Sequence, residues 1–315
     1  MESENPQPAA ALRRQDSDRE GPPGSPVPAP TPPVLSAFFR SVLEWFVPAP
    51  LRSAEQEVLA RFERADLDLN SFGYDPWGFH PGQASRTLAP LLLLYRHYFR
   101  VRTRNIENLP DGRVLLIANH AGQIALDAAM IAIATLFEAN PPRMLRGMGE
   151  YWLSRLPYFN VAMIRAGSLV GTPKNCADLL GHEEAVIAFP EGVRGMNKAF
   201  WKRYELQEFG FGFMRLALET RTPILPVAVV GSEEQAPSLG SIDPLARALG
   251  MPAFPLVLTP VPLPVRYHIE FGEPLWFSGN PHDEDRLIEE KVDVVRDRLR
   301  TMLDRGVATR EGIFT

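Results

Sequence analysis

The sequence predicts an α/β fold: a mixed, largely parallel sheet flanked by helices. The main observation is an alternation. From about residue 85, short apolar runs rich in Val, Ile and Ala alternate with segments of helical period. That order is what strands joined by helical crossovers produce. The second observation is that Ala185–Phe189 is apolar throughout and short, as a buried strand should be.

The elements follow in chain order. Residues 1–33 are rich in Pro, Ser and charge and end in a Pro-dense run, so they read as a disordered, polyproline-like tail. Residues 34–84 read as a helical and connector segment. Leu35, Phe38, Phe39, Val42, Leu43 and Phe46 recur at helical spacing before Pro48 stops the run. A second helix is expected over 53–65, then the turn-rich aromatic stretch Phe72–Phe79. A domain over 85–310 follows. It opens on a helix over 86–97 and strands over 99–103 and 114–118. A helix over 127–138 precedes the strand at 185–189. Then come a helix over 209–219, a strand over 224–230, an alternating strand over 267–271 and a long amphipathic helix over 283–304.

Composition narrows the function classes. The 315 residues carry a formal net charge of −5, which argues against a nucleic-acid partner. One cysteine, Cys176, rules out an intramolecular disulfide and suits a reducing compartment. The first 20 residues lack the apolar core of a secretory signal. No uncharged apolar run reaches the roughly 18 residues of a spanning helix. His80, His97, His182, His268 and His282 stand at no metal-ligand spacing, so no metal is expected. No Gly-x-Ser-x-Gly elbow supports a serine hydrolase.

Four segments carry the chemistry. In Asn119-His120…Asp127 a histidine follows a strand and a carboxylate opens the next helix. A carboxylate there can accept the imidazole N–H and stabilise the imidazolium formed on proton abstraction. Taken alone, the pair reads first as a capping histidine and an N-cap aspartate, and only second as a catalytic dyad. In Phe189-Pro-Glu191-Gly192-Val-Arg194 a turn presents an arginine beside glycine amides, a setting suited to a phosphate. In Arg165–Asn175, Arg165 and Lys174 flank backbone broken by Gly167; Thr172 can instead cap a helix that has Pro173 at its first position. Ile224–Glu234 reads as a core strand with a turn after it.

Order, content and spacing of the four blocks together resemble the glycerophospholipid acyltransferase family, of the lysophosphatidic acid acyltransferase kind. The resemblance covers roughly residues 85–305, and its most specific part is Phe189–Arg194. It implies direct acyl transfer from acyl-CoA or acyl carrier protein to a glycerolipid hydroxyl, with no cofactor. His120 would be the base and Asp127 its orienting partner. Asn119, Gly122, Arg165, Gly167, Thr172, Lys174, Glu191, Gly192 and Arg194 would contact substrate. Among these, Glu191, Gly192 and Arg194 would bind the head group, and the Gly122 loop is a candidate for the oxyanion. Two departures stand out. The family's usual His–Asp spacer is four residues, whereas six separate His120 from Asp127, as in subgroups resembling neutral-lipid acyltransferases. Lys174 stands where an arginine is usual. Lysophosphatidate and neutral glycerolipids therefore both remain acceptors, and a non-catalytic lipid-binding protein of the same fold is the alternative from another class.

Such substrates live in bilayers, so peripheral binding on the cytoplasmic side of a membrane is expected. Between Asp75 and Glu107 no acidic residue occurs, while Arg86, Arg96, Arg100, Arg102 and Arg104 interleave with Leu91–Leu94, Tyr95, Tyr98 and Phe99. This stretch and 38–46 are the expected docking elements.

Overall fold

A computed structural model describes residues 48–120, 126–152, 158–192, 195, 198–241, 255–259 and 261–315. The expected tail and the helix at 34–47 lie outside the described residues. Residues 49–315 form one unit. Helix α1 (Ala49–Phe62) packs on α2 (Pro81–Leu93). Pro81 starts α2 five residues before the expected Arg86, where its missing N–H costs nothing. The helix runs through Pro90 and ends in a wider turn at Leu94–Tyr98.

Strand β1 (Arg102–Arg104) is short, because Arg100 turns the chain with a positive φ of 46°. Then follow β2 (Val114–Ala118), α3 (Leu126–Phe137), β3 (Leu145–Gly149), α4 (Phe159–Arg165) and β4 (Leu169–Val170). Helix α5 (Pro173–Gly181), β5 (Ala185–Ala188), α6 (Gly212–Thr220) and β6 (Ile224–Val230) complete the centre. A small pair, β7 (Ser238–Ser241) and β8 (Pro255–Val257), precedes β9 (His268–Phe271) and the long α7 (Asp285–Thr309).

The main sheet runs in the order β1-β9-β6-β2-β5-β3-β4. β2 lies at its centre, parallel to both β5 and β6, with Leu115 opposite Val186 and Leu116 opposite Leu225. β9 is antiparallel to β6, which makes the sheet mixed as expected. Both faces are covered. Leu116, Ala118, Val227 and Val229 face a core shared with α1, α2 and α3. Leu115, Ile117, Ala228 and Val230 face the core under α5, α6 and α7. Burial on both faces explains the uninterrupted apolar runs.

The expected docking stretch is placed differently. Leu92, Tyr95 and Phe99 are buried in the core, and Leu91, Leu93 and Leu94 pack against it. Arg86 and Arg96 pair with Glu55 and Glu57 of α1. Arg100 donates to the carbonyls of Pro264 and Phe314. These side chains serve the fold, so the apolar part of that patch does not face outward. Among the described residues, no helix is long and apolar enough to cross a membrane.

Candidate active site

The site is built at the carboxyl end of β2, where open α/β sheets place their ligands. Past Ala118 the strand pairing ends, and Asn119 extends it by side chain. Its Nδ2 donates to the Val229 carbonyl at 3.0 Å, and its Oδ1 accepts the Val229 N–H at 2.8 Å. Asn119 is fully buried, so it braces β2 against β6. The resemblance implies a substrate contact for it; in this structure its amide bonds the main chain of β6.

His120 comes next. Its Nδ1 lies 2.9 Å from Oδ2 of Asp127, in the first turn of α3. Asp127 is fully buried, and its other oxygen accepts the Ala128 N–H at 2.8 Å. The imidazole stacks on Phe189, with centroids 4.1 Å apart. Burial pushes the imidazole toward the neutral form. The charge and hydrogen bond of Asp127, with the charge of Glu191, oppose this, and Lys198 works weakly against them. The net result lies above the ordinary 6.5.

Glu191 is buried rather than turned to a head group. Its Oε1 accepts the backbone N–H of His120 at 3.1 Å, and its Oε2 accepts that of Gln207 at 2.8 Å. The resemblance implies a head-group contact for Glu191; in this structure it holds the main chain of the expected base. Gly192 makes the turn possible with φ of +54°. Gly195 lies so close that an added Cβ would sit 2.9 Å from Cβ of Glu191 and 3.0 Å from the His120 carbonyl oxygen. Gly122 and Arg194 lie outside the described residues.

Arg165, Gly167, Thr172 and Lys174 are elsewhere. They flank β4 at the edge of the sheet, with β5 and β3 between them and β2. Arg165 donates to the Gly78 carbonyl at 2.9 Å and lies over the Tyr74 ring, fastening the connector. Gly167, at φ +91°, leaves room for the Met144 side chain. Thr172 caps α5 by accepting the Asn175 N–H at 3.1 Å, and Lys174 is exposed on its first turn. The cap that the sequence offered at Thr172 is present.

Two residues passed over in the sequence stand directly behind the site. Lys198 lies 3.4 Å from Oε2 of Glu191 and 3.1 Å from Oε1 of Glu233. Burial pushes the Glu233 carboxyl up to about 7 despite that lysine. Beside it, Glu234 makes a two-pronged pair with Arg310 at 2.6 and 2.7 Å and accepts the Tyr204 hydroxyl. The signal was the pair of carboxylates separated by two residues from the end of an apolar strand: buried acids require cations. Among the described residues no group of His, Cys, Asp and Glu could hold a metal.

With this geometry in hand, relatives can be placed. The profile of the family described as Acyltransferase matches residues 100–230, from the approach to β1 to the end of β6. An uncharacterized protein of Mycobacterium tuberculosis is 36% identical over 271 residues, 82% of this chain and 75% of its own length. Another, from Mycobacterium leprae, is 36% identical over 282 residues, 84% and 77% of the two chains. The chain belongs to the acyltransferase family. A mouse protein named "DGAT1/2-independent enzyme synthesizing storage lipids" is 20% identical over 200 residues, 64% of this acyltransferase and 58% of the mouse chain. The crystal structure of the 1-acyl-sn-glycerophosphate acyltransferase PlsC of Thermotoga maritima superposes with a TM-score of 0.47 and 17% identity, over 73% of this chain and 83% of that one.

Proposed function

We propose that this acyltransferase moves a fatty acyl group from a thioester, acyl-CoA or acyl carrier protein, to a hydroxyl of a glycerolipid. The observation that carries the reading is the His120–Asp127 contact of 2.9 Å at the end of the central strand. Asp127 fixes the Nδ1–H tautomer and leaves Nε2 as the base. Nε2 takes the acceptor's proton as its oxygen attacks the thioester carbon. The ester C–O bond forms, the C–S bond breaks, and the proton on the imidazolium is available to the departing thiolate. No acyl-enzyme and no cofactor enters.

The first acceptor is a lysophosphatidate-like lipid, a reading that rests on Arg194 in the Phe189–Arg194 block. A second reading, a neutral mono- or diacylglycerol or alcohol, is favoured by the six-residue spacer and by the name of the mouse relative. Bilayer-resident substrates fit peripheral binding at a cytoplasmic membrane face.

The test is transfer of labelled acyl groups by the purified protein to a panel of phosphorylated and neutral acceptors. Substitution His120→Ala should lower turnover by ~10²–10⁴-fold; wild-type turnover would sink the mechanism. Arg194→Ala should harm the phosphorylated acceptor selectively, and equal harm to both classes moves the neutral lipid ahead. The base works when neutral, and its pKa is raised. Activity should therefore fall on the acid side at a pH above 6.5, higher than for an ordinary histidine.

A further inference from the structure

We propose that Lys198 is a positioning residue for acyl transfer: clamped by Glu233, it holds the Glu191 carboxylate where that carboxylate accepts the His120 N–H. The inference rests on His120 being the base.

The geometry supplies each link. The Lys198 ammonium has three donors and three acceptors within reach. They are Oε2 of Glu191 at 3.4 Å, Oε1 of Glu233 at 3.1 Å and the Glu205 carbonyl at 3.1 Å. The side chains of Lys198, Glu191 and Glu233 are 4%, 0% and 6% exposed, so water cannot stand in for a missing partner. Glu191 in turn joins two stretches of main chain, at His120 and at Gln207. Gly195 packs closely on the same group: a Cβ added there would lie 2.9 Å from Cβ of Glu191 and 3.0 Å from the His120 carbonyl oxygen.

Removing one partner from such a cluster leaves an uncompensated buried charge. Without the ammonium, the Glu191 and Glu233 carboxylates face each other in a dry site. One must take up a proton or rotate, and the bond to the His120 N–H weakens. The Nδ1–Asp127 contact then has no fixed backbone behind it. A displacement of about 1 Å at a reacting group costs on the order of 10²-fold in rate. If these atoms act only by positioning the base, the loss falls on kcat and not on KM.

The experiment compares Lys198→Met, Lys198→Arg and Glu233→Gln in the full chain, each checked by circular dichroism and thermal melting. Lys198→Met should lower kcat by about 10–100-fold with KM for donor and acceptor within about twofold. Lys198→Arg, which keeps the charge, should restore most of kcat. Glu233→Gln leaves the lysine in place but loosens its second anchor, and should lower kcat by a smaller factor with KM again unchanged. A folded Lys198→Met protein with wild-type kcat overturns the proposal, as does a loss confined to KM. If Lys198→Met does not fold, wild-type kcat in Glu233→Gln overturns it instead. His120→Ala separates the two readings. If it is inactive while the Lys198 and Glu233 variants behave as wild type, the positioning role fails and the base stands. If it remains active, the base itself is wrong.

Discussion

Two basic side chains are clamped between pairs of carboxylates, one on a strand and one in a loop. Arg146, on β3, is 1% exposed; its guanidinium lies 2.6 Å from Asp75 and 2.6 Å from Glu184. It also sits over the Trp77 and Phe79 rings of the connector. Lys198 sits between Glu191 and Glu233. The chemistry is the same and the consequence is not. Around Arg146 every partner belongs to the scaffold, because Asp75 also accepts the N–H groups of Trp77 and Phe79 and so shapes the connector. Around Lys198 one partner holds the backbone of the base. What an ion cluster contributes depends on what its carboxylates touch next.

That contrast can be broken by substitution. The largest effect belongs to the dyad. Asp127→Asn keeps shape but removes the charge that selects the tautomer, and turnover should fall by ~10³–10⁴-fold. Residual activity should also keep going to lower pH, since the charge that raised the imidazole is gone. An unchanged pH profile would show that Asp127 does not act on His120. Arg146→Met should do the opposite. It strands the buried Asp75 and the partly buried Glu184, costs about 3–5 kcal/mol and lowers the Tm by on the order of 10 °C. Turnover per folded molecule should stay near wild type. If turnover collapses at temperatures where the variant is folded, the two clusters are not separate in function. Thr172→Ala is the smallest. Loss of the α5 cap should cost ~1 kcal/mol by denaturant titration. A large effect on KM would return the Arg165–Asn175 block to the substrate.

The sequence was most readable where one physical demand dominates. β2 and β6 are buried on both faces, and their apolar runs marked them residue for residue. β3 has no such run: Leu-Arg-Gly-Met-Gly is tolerated in the sheet because ion pairs and rings cover Arg146. α4 and α5 have 7 and 9 residues, about two turns, too short to show a period. The basic, aromatic stretch around α2 looked like a surface for anionic lipid because local sequence cannot reveal that the helix expected just before it packs there and supplies Glu55 and Glu57. At the site, the residue types of the dyad were legible and its geometry followed from the strand end. How the supporting residues act was not. Asn119, Glu191 and Lys198 act through main-chain and buried contacts with residues 110, 71 and 35 positions away in sequence.

One consequence concerns how the base is mounted. Glu191 grips residue 120 by its backbone amide, while Phe189 and Asp127 form two walls around the ring. The mounting is therefore indifferent to the side chain it carries. A truncation to glycine should leave a vacant socket with a flat aromatic wall and a carboxylate at one end, shaped for a free azole. Imidazole added to His120→Gly should restore part of the lost turnover in a saturable way, and a bulkier amine of equal basicity should not.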